Sequence, residues 1–575
     1  MASIVCKKTL LGGARGALAQ VKLTGCFLGV LLLVTLLGAC AGGPDSSTAV
    51  VVGTIAPVVP RPGIIDRDEL TAVFYTDGVE FDPRKSFIAS DAQLFTGLYE
   101  GLFSYHPYTM EPVPAMASRW TVSEDKMVWT FTLRDDARYW NGDPVSAQDF
   151  RNAWLSSLEP VRQAPYSSLF DLIAGAKDFR LGITQDPSLV GIEARNNNTL
   201  VVTLADPASF FPYLLCHHSF SPVHSSLLDT DDWSGAEIVS NGPFYLEERR
   251  DNALILAKNP YYWDAASVAL NRIVYRISGD PDEASGLWNS GEARWLTGGF
   301  FNYDSLLSQN DVVANTLFAT HYYFIRSVKA PLKDYRVRRA MSLALPWEEI
   351  RGAYALPAET LVYPLRGYPQ LDGTAAPDLA EARKLLSEAG YEGGKGIPEL
   401  VIRIPLTQDA QRIAGLMAGA WTKDLGLLVK VEVIPSGQYF SLLKGDEYDV
   451  GLTTWIGDFA DPYSFLQNWR RDSNLNDARF DDPDFEALMD KSMKEEGTAR
   501  WKTLGEAEQL LLDRGTVLPM AYDYALNVVD TEELDGWYPN ALDIHPFKYL
   551  AFKAWKPLPG VVMANPDPFR KFEHS

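Results

Sequence analysis

Apolar and polar residues alternate along two short segments of this chain, residues 127–133 and 200–204. A period of two predicts β-strands that bury one face. Short β-like runs at residues 69–74 and 429–434 predict two further strands, and the first of these marks the expected start of the folded part. Between the strands lie longer segments whose apolar residues repeat at a different period.

These longer segments have the period of an α-helix. In residues 334–345, four apolar residues share one face. Helices are also predicted at residues 379–389 and 411–425, because each is followed by a glycine that can end a helix. Another helix is predicted to open at Ala147, after a turn at residues 141–144. The alternation of strands and helices predicts α/β domains.

A continuous apolar run, residues 27–37, lies near the N terminus. Residues 1–39 contain four basic residues and no acidic residue, and they end in Leu37-Gly38-Ala39. A basic start, a short apolar core and a small-residue cleavage site predict an export signal. A plain membrane anchor is less favoured, because the run is about half the roughly 20 residues that a spanning helix needs.

Cys40 follows these small residues directly, and the sequence Leu37-Gly38-Ala39-Cys40 resembles a bacterial lipobox. The resemblance implies a signal peptide of residues 1–39, a lipidated (palmitate-bearing) Cys40 and a flexible tether of residues 40–65. The body is then expected to be exported and lipid-anchored to a bacterial membrane, in the periplasm or at the cell surface. A second candidate, Cys26, is disfavoured because its apolar stretch follows the cysteine.

Composition and charge narrow the function classes only a little. The chain is 46% hydrophobic and 22% charged, which is ordinary for a globular protein. Its net charge of −22 would become −26 after loss of the four basic residues in the first 39, and such a surface repels nucleic acid. Only Cys40 and Cys216 would remain, so we expect no intrachain disulfide.

Motifs of catalytic chemistry are absent from the sequence. None of the seven histidines forms an i, i+4 pair, and there is no HExxH, CxxC, Walker or GxSxG motif. We therefore expect no metal site, no cofactor and no enzymatic activity. A hydrolase with two catalytic carboxylates stays open as an alternative, because acidic residues are plentiful.

Aromatic residues are abundant, with 15 Trp, 26 Tyr and 27 Phe. Most of them must pack in the core, but two clusters have the composition of ligand-site walls. The first is Tyr322-Tyr323-Phe324, and the second lies within residues 454–462, where glycine and aspartate flank the rings.

A series of segments in fixed order resembles the extracellular solute-binding proteins of family 5, the oligopeptide-binding group of ABC importers. Each motif alone is weak, but the fixed order is specific, and the resemblance runs from about residue 70 to residue 555. The segments are residues 98–102 (LYEGL), 129–150, 241–246 (NGPFYL), 258–264, 290–292, 334–340, 382–386 and 455–462.

The resemblance implies a two-lobed α/β fold of the periplasmic-binding-protein kind (type II), with an extra subdomain in the first lobe and the ligand cleft between the lobes. By analogy, a hinge is expected near residues 278–283 and 522–530. The expected ranges are residues 66–97, 225–280 and 525–560 for the first lobe, 98–224 for the subdomain and 281–524 for the second lobe.

The resemblance also implies a function: binding oligopeptides in the cleft and delivering them to the permease subunits of an ABC importer, as a monomer. In that family the acid that holds the peptide ammonium follows a Trp-x-x segment, and Asp458 has this position after Trp455. Trp455 would form a flat wall, and the main chain of Ile456 would pair with the peptide. On the first lobe, residues around Ala89 are expected to complete the cleft.

Tyr322, Tyr323 and Phe324 resemble the aromatic segment that pairs with the ligand backbone. Two departures from the family pattern make the ligand uncertain. Gly298 and Gly299 stand in place of a polar, Asn-containing stretch, which would widen the pocket. Arg326 stands where Asn is common, and it would bind either a ligand carboxylate or a neighbouring Glu.

Two alternatives to peptide transport remain open. The same scaffold would serve another solute, such as a nickel complex, haem or an oligosaccharide. The chain would otherwise be an exported lipoprotein that acts as an adhesin or a folding helper.

Overall fold

The computed structural model describes residues 67–553, apart from residues 77, 209, 300 and 460. The described residues all lie within one compact unit of the chain. The predicted signal peptide, Cys40 and the predicted tether lie outside the described residues. In the described part, no helix combines the length and apolar character needed to span a membrane.

The strands and helices follow one another along the chain with few long irregular segments. The strands are β1 (Glu69–Phe74), β2 (Phe103–Tyr105), β3 (Pro112–Pro114), β4 (Ala117–Val122), β5 (Val128–Leu133), β6 (Ile192–Asn196), β7 (Thr199–Thr203), β8 (Phe244–Arg250), β9 (Ala253–Lys258), β10 (Arg272–Ile277), β11 (Trp295–Leu296), β12 (Val312–Ile325), β13 (Leu400–Pro405), β14 (Val429–Ile434), β15 (Val450–Ile456), β16 (Val517–Val529), β17 (Leu534–Asp535) and β18 (Ala551–Phe552). The α-helices are α1 (Ala89–Leu98), α2 (Ala147–Ser157), α3 (Ala176–Arg180), α4 (Phe211–Leu214), α5 (Pro281–Asn289), α6 (Tyr335–Leu343), α7 (Trp347–Arg351), α8 (Leu379–Glu388), α9 (Gln408–Leu425), α10 (Ser436–Leu443), α11 (Tyr463–Leu466), α12 (Pro483–Ser492) and α13 (Gly497–Asp513).

The elements predicted from periodicity are confirmed. Strands β1 and β14 have the predicted bounds, and β5 and β7 lie within one residue of them. Helices α6 and α8 occupy their predicted segments. Helix α9 begins three residues earlier than predicted, because the Thr407 side chain caps it by accepting the main-chain N–H of Ala410. Helix α2 opens at Ala147, where Ser146 and Asp149 form a capping box.

A mixed ten-stranded sheet forms the body of the fold, in the order β14-β13-β15-β12-β16-β11-β1-β10-β9-β8. A separate antiparallel sheet, β4-β5-β7-β6, lies entirely within residues 98–224, the range predicted as a subdomain. The predicted α/β class is confirmed by this arrangement of strands and helices.

Two long strands, β12 and β16, connect the halves of the large sheet. They pair antiparallel from Val312↔Val528 to Phe324↔Val517, with register shifts between Thr316 and Thr320 and next to His321. On its other edge β12 pairs with β15 only from Ala319 to Ile325. The middle of β12 is therefore irregular, and that irregular stretch lies where the sheet passes from one half to the other.

Three of the segments that carried the family resemblance meet at one buried residue, Glu100. Its main chain exchanges hydrogen bonds with the side chain of Asn241, at 3.2 and 2.8 Å. Its carboxylate accepts hydrogen bonds from the Tyr262 hydroxyl and from the Trp263 indole N–H. The first motif is more than a hundred residues from the other two, and Glu100 connects it to both through buried polar contacts.

The predicted lobe and hinge ranges stay predictions. One observation bears on where the chain passes between the halves: β11, which follows α5, pairs in parallel with β1 through Ala72↔Trp295. Strand β12 then carries the chain from its contacts with the end of β16 to its contacts with β15.

Gly242, in the predicted NGPFYL segment, packs against the end of α1. Its N–H donates to the Leu98 carbonyl at 2.8 Å, and a Cβ placed on Gly242 would lie 2.4 Å from the Gly97 oxygen.

We predict that Gly242→Ala lowers the free energy of unfolding by about 1–3 kcal/mol, because the added Cβ would clash with the backbone of α1. Urea unfolding measures this. Gly235→Ala is the control, because nothing lies within 4 Å of its Cβ position, and an equal effect of both would contradict the prediction.

Candidate functional site

A cavity of about 440 Å³ is lined by residues from distant parts of the chain. Helix α1 and the segments that contain Tyr105, Tyr166 and His217 contribute to the lining. Strand β15, the residues after it and the loop that contains Asp543 contribute the other residues discussed below. The size and the largely apolar wall, with several aromatic rings, are typical of a site for a small organic ligand.

Asp458, two residues after β15, is the carboxylate with the most unusual surroundings in this cavity. Its Oδ1 accepts a hydrogen bond from the Tyr166 hydroxyl at 3.1 Å and lies 3.6 Å from the His217 Nε2. Its Oδ2 is buried and has no hydrogen-bond partner among the described residues. The side chain is only 10% exposed, so a missing protein partner for this oxygen carries a desolvation cost.

Burial dominates the electrostatics around Asp458. It raises the pKa of Asp458 to about 7 and lowers the pKa of His217 to about 3. His217 is therefore neutral, and its Nδ1 accepts the main-chain N–H of Ser219, which leaves the proton on Nε2, facing Asp458. Because His217 carries no charge, it does not neutralise the ionised carboxylate.

Aromatic rings surround this carboxylate. The ring of Tyr166 lies 4.4 Å from that of His217 and 6.3 Å from that of Trp455, measured between centroids. The Trp455 indole N–H donates to the Ser464 carbonyl at 3.0 Å, which fixes the orientation of the ring. The carboxylate thus lies in a largely apolar wall of low local dielectric, where an added positive charge would be strongly attracted.

One edge of β15 is open beside the cavity. On one side β15 pairs with β12 along its whole length, but on the other it pairs with β13 only through Ile402↔Val450. Beyond Val450, no strand in the described part of the chain pairs with this second edge, and residues 453–458 line the cavity. Such an edge can accept the main chain of an extended ligand.

The structure brings six of the ten predicted ligand-binding residues to the cavity wall. These are Ala89, Gly298, Tyr322, Trp455, Ile456 and Asp458. They come from segments up to 369 residues apart in the numbering, from Ala89 to Asp458, so their convergence is a result of the fold.

The other four predicted residues lie outside the cavity lining, and their predicted ligand contacts stay predictions. Tyr323 donates from its hydroxyl to the Ala410 carbonyl at 3.2 Å, and Phe324 lies against Gly451. The N–H of Gly299 donates to the Leu526 carbonyl. Arg326 is buried, pairs with Asp446 and stacks over the Tyr448 ring, so it contacts an acidic neighbour.

Sequence reasoning missed the residues that the subdomain range contributes. Tyr105, Tyr166, His217 and His218 line the cavity, and the first three contact Asp458. Histidine spacing in the sequence is informative only about metal sites, and it gives no signal for these contacts. Among the described residues, no group of three or more His, Cys, Asp or Glu side chains is arranged to hold a metal ion.

Further contacts join two distant parts of the chain. Asp472 lies 3.0 Å from the Lys177 ammonium and 3.3 Å from the Arg180 guanidinium. The Asn474 amide donates to the Ala164 carbonyl at 2.9 Å. These contacts connect residues 164–180, in the range predicted as the subdomain, with residues 472–474, in the range predicted as the second lobe.

Comparisons with known proteins show which family and which relatives this chain is similar to. The family described as "Bacterial extracellular solute-binding proteins, family 5 Middle" matches residues 111–477. The periplasmic oligopeptide-binding protein OppA of Salmonella typhimurium is 29% identical over 511 residues, covering 83% of this chain and 91% of that protein.

Solved structures show the same fold, and two structures of one protein match it to different degrees. The Escherichia coli murein tripeptide binding protein MppA is 26% identical, with a TM-score of 0.76 over 85% of this chain and 99% of that one. A second MppA structure, described as the unliganded open form, is 25% identical and has a TM-score of 0.59 over 85% of this chain and 98% of that one. The TM-score is thus lower for the structure described as open.

The raised pKa of Asp458 predicts a pH-dependent stability. The folded, ligand-free protein holds a proton on Asp458 more tightly than the unfolded chain does, so the stability from that proton is present at low pH and is lost as the pH rises through about 7. We predict that wild type loses about 2–3 kcal/mol relative to Asp458→Asn between pH 5 and pH 8, measured by urea unfolding. A difference between the two proteins that does not change with pH would contradict this.

Proposed function

This chain belongs to the bacterial extracellular solute-binding proteins of family 5 and has their two-lobed α/β fold; from this premise we propose that it is the substrate-binding component of an ABC importer. It binds oligopeptides in the cavity between the lobes and delivers them to a membrane permease. The names of its relatives support the cargo class, since OppA is an oligopeptide-binding protein and DppE of Bacillus subtilis a dipeptide-binding protein.

One observation carries the proposal: the unpartnered oxygen of Asp458 in a largely apolar cavity. A buried carboxylate with a free lone pair costs free energy, and a ligand ammonium group offsets this cost. The feature that all free peptides share at one end is an α-ammonium group. Asp458 therefore binds the peptide N terminus, and Tyr166 and His217 orient the carboxylate for it.

The open edge of β15 supports the second part of this binding mode. Main-chain hydrogen bonds from Thr453, Thr454 and Trp455 would add the peptide as an extended strand, whatever its side chains are. The ring of Trp455 then provides a flat surface for a peptide side chain, as its position in the wall allows. This combination gives affinity for the peptide backbone with limited sequence preference.

The anchor at Cys40 completes the proposal. The signal-like residues 1–39 and the small-residue segment before Cys40 support export and lipidation, and the body is then held beside the membrane that contains the permease. Confinement of this kind raises the effective concentration of the receptor at its partner. The protein works as a monomer and without a cofactor.

Substitution of Asp458 tests the binding mode. We predict that Asp458→Asn weakens binding of unmodified tripeptides at least about 30-fold, because the buried ammonium loses its charge partner. Isothermal titration calorimetry measures this, and N-acetylation of the same peptides should cause a similar loss in wild type. Asp535→Asn is the control, because Asp535 is an exposed aspartate on β17, outside the cavity lining.

Two results would contradict these statements separately. Unchanged affinity in Asp458→Asn would overturn the role of Asp458 alone. If no peptide in a mixed library of tri- to pentapeptides gave heat, and mass spectrometry of the purified protein found no bound peptide, the function itself would be wrong.

The anchor has its own test. We predict that Cys40→Ser leaves the protein uncleaved or released from the membrane fraction, while wild type partitions into detergent and carries acyl groups on Cys40. Detergent-phase partition followed by mass spectrometry of the N-terminal peptide measures both. A wild-type protein whose N-terminal peptide lacks acyl groups would overturn the anchor.

A further inference from the structure

More acidic than basic side chains line the cavity. Four carboxylates line it, those of Glu100, Asp458, Asp477 and Asp543, against the ammonium groups of Lys444 and Lys548. Both lysines already have acidic partners. Lys444 lies 2.8 Å from Asp477, and Lys548 lies 3.1 Å from Asp264 and 3.8 Å from Glu100.

Two carboxylates are left without a Lys or Arg partner among the described residues: Asp458 and Asp543. Since Asp458 is assigned to the peptide ammonium under the proposed function, the second group is Asp543. A carboxylate that lines a cavity of this kind without a counter-ion is costly unless a ligand supplies the charge.

Asp543 is held in a defined orientation. Its Oδ1 accepts a hydrogen bond from the Asn527 amide at 2.9 Å, and the carbonyl oxygen of that amide in turn accepts the Trp295 indole N–H at 2.9 Å. Trp295 thereby determines which end of the Asn527 amide faces Asp543. The Asp543 side chain is 18% exposed, and the residue belongs to the cavity lining.

His545 also contacts Asp543, with 3.2 Å between its Nε2 and the Asp543 Oδ1, but it is poorly placed to neutralise it. The imidazole is fully buried, and its Nδ1 has no hydrogen-bond partner among the described residues. A charged imidazolium would carry a second N–H without an acceptor, which burial penalises. The contact is a hydrogen bond from Nε2 to the carboxylate, and no Lys or Arg among the described residues lies within ion-pair distance of Asp543.

The fold places Asp543 in the same neighbourhood as Asp458. The N–H of Phe318 donates to the Ala541 carbonyl at 2.8 Å, and the Phe318 carbonyl accepts the N–H of Gly457 at 2.7 Å. One residue of β12 therefore connects the two segments that carry the carboxylates.

Space for a side chain exists on this side of the cavity. Gly298 lines the cavity with φ +66°, and nothing lies within 4 Å of its Cβ position. The neighbouring Gly299 donates to the carbonyl of Leu526, the residue before Asn527. The missing side chain at Gly298 leaves open the region beside the strand that positions Asp543.

We infer that Asp543, with the open region at Gly298, forms a subsite for a positively charged peptide side chain, so that this protein prefers peptides containing lysine or arginine. The inference rests on the proposed peptide-binding function and specifies its substrate class. The aromatic wall would hold the methylene groups of such a side chain, and its terminal ammonium or guanidinium would pair with Asp543.

The test compares lysine with norleucine, which retains the methylene chain and lacks the charge. The peptides are trialanine with either residue at position one, two or three, titrated into the purified full-length protein by isothermal calorimetry. We expect lysine to bind at least about tenfold more tightly than norleucine at one of these positions, which corresponds to about 1.4 kcal/mol. A glutamate peptide at that position should bind more weakly than the norleucine peptide.

Asp543→Asn retains an oxygen that can accept from Asn527, and it should reduce the ratio of lysine-peptide to norleucine-peptide affinity to less than about threefold. Asp229→Asn is the control for net charge, because its side chain is 97% exposed and lies outside the cavity lining. It should keep the full lysine advantage.

The outcomes separate the inference from the function on which it rests. If lysine and norleucine peptides bind equally well to wild type, the subsite is overturned and peptide binding stands. A lysine advantage that survives in Asp543→Asn also overturns the assignment to Asp543. If no peptide of either series binds, the proposed function itself fails. The wild-type comparison decides the preference even if Asp543→Asn does not fold.

Discussion

The pairing of β12 with β16 is the constraint on which the rest of the structure depends. Both strands run through the two halves of the ten-stranded sheet, so the halves are parts of one hydrogen-bonded network. Between Thr316 and Thr320 the register shifts, and the main chain of Phe318 binds Gly457 and Ala541. Because backbone groups in the interior must be paired, this irregular stretch fixes the two loops that supply cavity carboxylates.

The burial of Asp458 in the cavity wall is linked to its proposed role in ligand binding. Asp458 is held by Tyr166 and faces a neutral His217, and one of its oxygens has no partner. An apolar side chain there would give a more stable protein, since a buried carboxylate without a counter-ion costs free energy. Under the proposed function, the charge of a cationic ligand offsets this cost when the ligand enters the cavity.

Much of the local structure was predictable from the sequence, because it depends on neighbouring residues. The alternation in β5 and β7 and the glycines after α8 and α9 act through the backbone within one or two turns. The position of Asp458 after Trp455 was predictable only through the family resemblance. The partner of Arg326 could not be predicted in this way, because the buried guanidinium pairs with Asp446, which lies 120 positions away in the chain.

The sequence by itself determined the class of the fold, most of its elements and the family, because periodicity and ordered motifs are properties of the chain. Only the tertiary structure decided which residues share the cavity. Tyr166 meets Asp458 across 292 residues, and no local pattern around either residue encodes that contact. Whether a carboxylate is paired or left free also depends on packing, as Asp477 and Asp543 show. The charge of the cavity is therefore set by the three-dimensional arrangement of residues whose roles the sequence does not distinguish.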